Sequence, residues 1–309
     1  MSQATESSEI FSVRKILHPT DFSASSRSAL TRAIFLANRH NAELHLLHVV
    51  ELHNDDPFNP EYHFPDGDEI YFELVKVAQS EMKDLLSGEQ GRTLRIREHL
   101  ERAVSAAPEI VRFAIEHEID LVVMGSHGRR GVRRFFLGSV AEEVVRTASS
   151  PVLTLHADGQ DPLRVPTQVV APVDFSQESA AAVAVARVMA QTYGARLDIV
   201  HVLEHPTFAH PYQPLYNRAL DYSFPQAAEK IGVALRELLE EVAGPEVEAH
   251  FEVLEGSPAP AVVDYASQAD AAMIVLATHG LTGLEHFLLG SVTERVVRLA
   301  RCPVLTMKA

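Results

Sequence analysis

Short apolar runs alternate along the chain with longer stretches in which apolar residues recur every three to four positions, the mark of strands joined by crossover helices. In the first half the apolar runs predict strands at Val13–His18, Glu43–Val50, Arg92–His99, Leu121–Gly125 and Val152–Leu155. The helical periodicity predicts helices at Ala24–Arg39, Glu69–Leu86, Ala107–Glu118 and Ser139–Ala148. Leu121-Val122-Val123-Met124 is apolar at every position, as expected of a parallel strand covered by helices on both faces. Right-handed crossovers then give an α/β fold with a doubly wound, open parallel sheet.

The pattern occurs twice. His18-Pro19-Thr20-Asp21-Phe22-Ser23 returns as Ala171-Pro172-Val173-Asp174-Phe175-Ser176 at an offset of 153 residues. The strand Ala42-Glu43-Leu44-His45-Leu46-Leu47-His48-Val49-Val50-Glu51 returns at the same offset from Ala195 to Glu204. Ser126-His127-Gly128, Leu137-Gly138-Ser139-Val140 and Pro151-Val152-Leu153-Thr154 return 152 residues later as Thr278-His279-Gly280, Leu289-Gly290-Ser291-Val292 and Pro303-Val304-Leu305-Thr306. Landmarks kept in order and nearly without drift imply a duplicated domain, with halves at residues 1–157 and 166–309. Asp158, Gly159, Asp161, Pro162 and Pro166 mark the linker, and a loop rich in Pro and His is expected from Glu204 to Tyr222. Pro151 and Pro303 open the last strand of each half, where proline favours an edge, so pairing of the two matching edges in a pseudo-twofold arrangement is expected.

Composition narrows the classes of function. The formal charge of −15 opposes approach to nucleic-acid phosphates or to an anionic membrane surface. No run approaches the ~18 consecutive apolar residues of a membrane span. The single cysteine, Cys302, suits a reducing compartment, and Met1–Glu9 lacks the pattern of a secretory signal, so a cytoplasmic location is expected.

The candidate chemistry is concentrated after the fourth strand, in Gly125-Ser126-His127-Gly128-Arg129-Arg130-Gly131-Val132-Arg133-Arg134-Phe135-Phe136-Leu137-Gly138-Ser139, which reduces to G-x2-G-x9-G-S. Glycines allow backbone amides to approach a ligand, and the helix opened by Ser139 offers unpaired N–H groups and a positive dipole end to an anion such as triphosphate. Arg129, Arg130, Arg133 and Arg134 add cations beside it. Ser139-Val140-Ala141-Glu142 is also an S-x-x-E capping box, as is Ser291-Val292-Thr293-Glu294, and a serine that caps its helix leaves other amides for a ligand.

This loop, the first strand ending in P-[TV]-D-x-S, the second ending in L-x-H-V and the final P-V-L strand together resemble the universal stress protein family in its tandem, two-domain form. The resemblance implies two adenine nucleotide alpha hydrolase-like sheets of five parallel strands, order 3-2-1-4-5, and binding of ATP, ADP or AMP with magnesium as an optional companion. It implies a stress-response regulator or sensor, with a homodimer as a further expectation. Carried onto this chain, it puts Pro19, Thr20 and Asp21 near the base and ribose, Val49 against adenine, and Met124, Gly125, Gly128, Gly138 and Ser139 along the ribose and phosphates, with His127, Arg129 and Val140 beside them. The second-half set is Pro172, Val173, Asp174, Val202, Leu276, Ala277, Gly280, Gly290, Ser291 and Val292. Ala277 replaces the first glycine of that copy, and Leu281, Thr282, Leu284, Glu285 and His286 replace the arginine cluster, which predicts weaker binding there. Val104 stands where the second half has Gly256, a difference expected in a turn rather than in the nucleotide loop.

Recurring His48 and His201 read as strand-end residues, while His127 and His279 are candidates for a bond to phosphate. His53, His63, His205 and His210 lack the spacing of a zinc site. No G-x4-G-K-[ST] loop is present, so efficient ATP hydrolysis is not expected. A slow ATPase, or an interaction scaffold with a vestigial second nucleotide site, is the alternative.

Overall fold

The computed structural model describes residues 10–51, 67–87, 94–127, 137–156, 163–204, 213–278 and 289–308. The chain divides into two compact units, Val13–Leu163 and Arg164–Ala309. The first contains β1 (Lys15–Pro19), α1 (Ala24–His40), β2 (Glu43–Glu51), α2 (Gly67–Leu86), β3 (Ile96–Ala103), α3 (Ala106–Glu116), β4 (Leu121–Gly125), α4 (Ser139–Thr147) and β5 (Val152–Leu155). Its five strands are all parallel and lie in the order β3-β2-β1-β4-β5. Ile16, Leu17, Leu44, Leu46, Leu47, Val122 and Val123 are fully buried, which explains why the central strands read as continuous apolar runs. Small residues on α1, Ala29, Ala33 and Ala37, are also fully buried and let that helix lie close to the sheet.

The second unit repeats this plan with β6 (Gln168–Pro172), α5 (Gln177–Tyr193), β7 (Arg196–Leu203), α6 (Gln213–Glu241), β8 (Ala249–Glu255), α7 (Pro258–Gln268), β9 (Met273–Ala277), α8 (Ser291–Leu299) and β10 (Val304–Met307). The order is β8-β7-β6-β9-β10, again parallel throughout. Each unit is therefore a doubly wound parallel sheet, as the alternation of strand and helix signals predicted, and its order is the 3-2-1-4-5 that the family resemblance implied.

Two element boundaries of the described residues differ from the sequence expectation by more than two residues. The third strand runs from Ile96 to Ala103 rather than from Arg92 to His99, because its register is set by the ladder to β2, where Leu44 faces Ile96 and Glu51 faces Ala103. β3 is the outermost strand of its sheet and tolerates the exposed Arg97, Glu98 and Arg102 that made it hard to read as a strand. The expected loop from Glu204 to Tyr222 is shorter, since α6 begins at Gln213. Pro214 falls in the first turn of that helix, where the missing N–H costs nothing, so proline content was a misleading loop signal.

Candidate functional site

In the first unit the carboxyl ends of β1, β2 and β4 open into a cleft of about 1490 Å³. Such a cleft forms where the connections from neighbouring parallel strands leave toward opposite faces of the sheet. Pro19, Thr20, Asp21, Val49, Met124, Gly125, His127, Gly138, Ser139 and Val140 all line it. The fold thus brings together every described first-half residue of the expected set. Further walls come from Leu74, Val77 and Glu81 on α2 and from Val104, Ser105, Ala106 and Ile110 around the start of α3.

The turn from β1 into α1 is held by a buried polar network. The amide of Thr20 donates to the Leu47 carbonyl at 2.8 Å, continuing the β1–β2 ladder past the end of the strand. Phe22 N–H donates to Thr20 Oγ1 at 3.1 Å, the Thr20 and Ser26 hydroxyls are 2.8 Å apart, and Ser26 Oγ lies 3.2 Å from His18 Nε2. His18 Nδ1 lies 2.8 Å from the Val123 carbonyl, so it carries the proton and donates, leaving Nε2 to accept from Ser26. Burial pushes the His18 imidazole down to about 4, against the opposing pull of the Val123 carbonyl and Asp21, which keeps this ring neutral. Asp21 Oδ1 accepts from Ser23 N–H at 3.0 Å, and Ser23 caps α1 by accepting from Ser26 N–H at 3.2 Å. Between them Phe22 sits in the left-handed region with φ 64°. A bulky residue held there marks backbone constrained by its surroundings.

His48 braces the same turn, with Nδ1 donating to the Thr20 carbonyl at 2.7 Å and its ring 4.5 Å from that of Phe22. The second unit repeats both features: His201 Nδ1 donates to the Val173 carbonyl at 2.8 Å, Phe175 has φ 63°, and its ring lies 5.0 Å from His201. The recurring strand histidines are therefore braces for the β–α turn. Phe22 recurs as Phe175, a repeat that the sequence pattern alone does not tie to a left-handed turn.

At the end of β4, Gly125 is required for a reason other than ligand approach. A Cβ built on it would lie 2.5 Å from Ser25 Oγ and 3.1 Å from the Ser25 carbonyl carbon and oxygen, so the glycine admits the start of α1. Helix α4 starts differently from the expected capping box. Its N-cap is Gly138, with φ −64° and ψ 143°, which has no side chain to cap the amides of the first turn. The Gly138 amide donates to the Ser126 carbonyl at 2.7 Å, and the first helical bond runs from Glu142 N–H to the Gly138 carbonyl at 2.8 Å. Gly138 itself thus has no N–H to offer, whereas the amides of Ser139, Val140 and Ala141 at the positive end of the helix do. Ser139 is exposed at this end.

Asp21, Glu51, Glu81 and Glu143 line the cleft, against one arginine among its described residues, Arg27, which pairs with Glu81 at 3.3 Å. Glu51 is partly occupied elsewhere, accepting from Ala106 N–H at 2.7 Å at the start of α3. Gly128, Arg129, Arg130, Arg133 and Arg134 lie outside the described residues, as do His53, His63, His205, His210, His279, Gly280, Leu281, Thr282, Leu284, Glu285 and His286. His127 is half-buried, with Nδ1 2.8 Å from Ser126 Oγ.

In the second unit Pro172, Val173 and Asp174 end β6 and enter the turn, Val202 lies near the end of β7, and Leu276 and Ala277 end β9. Gly290 caps α8 with φ −57°, and Ser291 and Val292 open that helix. Ala277 has no left-handed φ, so its Cβ is compatible with the backbone, and its carbonyl accepts from the buried Thr293 hydroxyl at 2.8 Å. The polar network of the first unit is absent at the matching positions, where Ala171 and Val173 replace His18 and Thr20. Cys302 is buried, and burial pushes its thiol up to about 12, so it remains a protonated packing group.

A doubly wound sheet repeated by duplication, with a cleft at the carboxyl edge of its first copy, defines the class. The sequence profile described as the universal stress protein family matches residues 12–156 and again residues 167–308, and the chain belongs to that family. It is 31% identical over 252 residues to Universal stress protein Rv2005c of Mycobacterium tuberculosis, covering 79% of this chain and 77% of the relative. A universal stress protein of Mycolicibacterium smegmatis is 28% identical over 301 residues, 95% of this chain and 96% of the relative. The fold is shared with a solved universal stress protein from Archaeoglobus fulgidus at a TM-score of 0.64 and 18% identity, covering 97% of this chain and 98% of that one. No helix among the described residues is long and apolar enough to cross a membrane.

Proposed function

We propose that the first unit binds an adenine nucleotide, ATP, ADP or AMP, in its carboxyl-edge cleft, and that occupancy regulates a cytoplasmic stress response. The observation that carries this reading is the uncapped start of α4 facing a cleft lined by Thr20, Val49 and Met124. Apolar Val49 and Met124 suit a flat base, the Thr20–Asp21 turn suits ribose hydroxyls, and the Ser139–Ala141 amides suit phosphate oxygens. A magnesium ion carried with a triphosphate would offset the repulsion between its phosphates and the carboxylates of the cleft. The second unit is proposed as the weaker site, and a homodimer as the assembled form. Protein purified without added nucleotide is denatured and the supernatant separated by anion exchange, then stripped protein is titrated calorimetrically with ATP, ADP and AMP. Recovery of nucleotide, or micromolar affinity lost in Gly138→Glu, supports the reading. No measurable affinity for any adenine nucleotide at millimolar concentration ends it.

A further inference from the structure

Away from the cleft, three imidazoles pack together in the first unit: His45 on β2, His99 on β3 and His117 at the end of α3. Their ring centroids are 5.1 Å apart for His45–His99, 5.8 Å for His45–His117 and 5.6 Å for His99–His117. His45 and His99 are stacked within 3° of parallel, with Nδ1 of one 3.2 Å from Nε2 of the other, so a single proton lies between them. Phe113 closes the cluster, stacked 3.8 Å from His117 and edge-on to His99 at 4.7 Å.

The charged groups around the cluster are few. From β2, Glu43 Oε1 lies 2.9 Å from His45 Nε2, off the direction of a good ring N–H bond, and the same oxygen is 2.8 Å from Arg97 Nε on β3. From β1, Lys15 Nζ donates to the His117 carbonyl at 2.8 Å and pairs with Glu118 at 3.5 Å. One carboxylate, already shared with an arginine, therefore faces three rings. They can stay together only while at most one is charged. No group of three or more His, Cys, Asp or Glu side chains among the described residues is arranged to hold a metal ion, which leaves the proton as the effector.

The duplicated half supplies an internal comparison. Asp198 stands at the position of His45, Arg196 at that of Glu43, Tyr265 at that of Phe113, Glu252 at that of His99 and Ala269 at that of His117. Fully buried Asp198 accepts from Arg196 Nε at 2.8 Å, from Tyr265 Oη at 2.8 Å and from Gln168 Nε2. That carboxylate is fully partnered. The same junction of strands and helix is thus fastened by fixed charges in one half and by neutral imidazoles in the other.

We propose that His45, His99 and His117 form a proton-operated latch, which joins β3 and the end of α3 to β2 at neutral pH and releases them when more than one ring is charged. The elements it fastens also carry cleft walls. Val49 follows His45 on β2, Val104 follows β3, and Ala106 begins α3, so release widens the cleft and weakens whatever it binds. This last consequence rests on the nucleotide reading, whereas the latch itself does not. Burial, followed by the neighbouring His45, His117 and Arg97 charges, pushes His99 down to about 4, and burial is also the main cause that lowers His45. An unfolded histidine takes up a proton below about 6.5, so the latch contributes fully above that pH and loses its contribution as pH falls toward 4.

The test is peptide-resolved hydrogen exchange on the full chain at about pH 7.5 and pH 5, corrected for intrinsic rates. Peptides covering β2, β3 and α3 are expected to lose protection about tenfold in acid, against less than about twofold for β7, β8 and α7, a tenfold change being one pH unit of differential proton binding. His99→Gln should shrink the difference between halves in the β2, β3 and α3 peptides, and should shrink it equally in a His18→Ala background, since His18 carries a separate share of this unit's acid sensitivity. Equal acid loss in both halves, or an unchanged difference in His99→Gln, overturns the latch. Should His99→Gln fail to fold, ring titrations of the unaltered protein decide: a His99 midpoint near 4 supports it, and one near 6.5 removes it. A protein that passes these tests but binds no nucleotide keeps the latch and loses only its proposed effect on the cleft.

Discussion

Gly125 at the end of β4 and Ser25 at the start of α1 meet so closely that a Cβ on the glycine would come within 2.5 Å of the serine Oγ. The first glycine of the G-x2-G-x9-G-S loop is thus fixed by packing between a strand and the helix that follows β1. Gly125→Ala is expected to destabilise the first unit by about 1–3 kcal/mol, the usual range for overpacking. Chemical denaturation followed by first-unit peptides checks this. Gly125→Ala with Ser25→Gly should recover only part of the loss, because the backbone of Ser25 also lies 3.1 Å from the added carbon.

His18 should impose its own acid sensitivity on the first unit. Its folded value near 4 lies below its unfolded value of 6.5, so the stabilisation is complete above 6.5 and declines as pH falls to 4. A shift of that size corresponds to about 3 kcal/mol at most. His18→Ala, which reproduces Ala171 of the second unit, is expected to lower stability at pH 7 through the cavity it leaves but to flatten the slope of stability between pH 6.5 and 4. A slope unchanged in the variant would show that this ring takes up its proton as readily in the folded protein as in the unfolded chain.

Asp198→Ala should cost the second unit about 3 kcal/mol, since it removes the shared acceptor of three part-buried donors, on Arg196, Tyr265 and Gln168. Tyr265→Phe, which removes one of three donors, should cost about 1–2 kcal/mol. Thermal unfolding of both variants checks the order, and a Tyr265→Phe loss as large as that of Asp198→Ala would contradict it.

The turns after β3 and β8 should respond oppositely to exchange of their residues. Gly256 has φ 125°, a region that side-chain-bearing residues rarely adopt, so Gly256→Val is expected to cost about 1–3 kcal/mol. Val104 has no left-handed φ and is 72% exposed, so Val104→Gly should change stability by less than about 1 kcal/mol. Parallel urea titrations compare them.

For nucleotide affinity, Gly138→Glu places a carboxylate at the start of α4 and should lower total ATP binding more than Gly290→Glu does at α8. Equal losses, or a larger one at Gly290, would reverse the proposed ranking of the two units. Ala277 sits in ordinary backbone geometry and is no obstacle by itself, so the contrast rests on Thr20 and the His18–Ser26 network against Val173 and Ala171.

The sequence determined the architecture because apolar runs, helical periodicity and a repeat at nearly constant offset are all local signals. Leu121-Val122-Val123-Met124 could only be a strand buried on both faces, and Asp21 and Gly138 were marked by their recurrence as Asp174 and Gly290. Tertiary structure decided what the same letters do. It made Gly125 a packing glycine, moved the cap of α4 from Ser139 to Gly138, set β3 four residues further on through its ladder to β2, and gathered His45, His99 and His117 from three separate elements. Those outcomes depend on distances between residues far apart in the chain, and no periodicity within a single segment carries them.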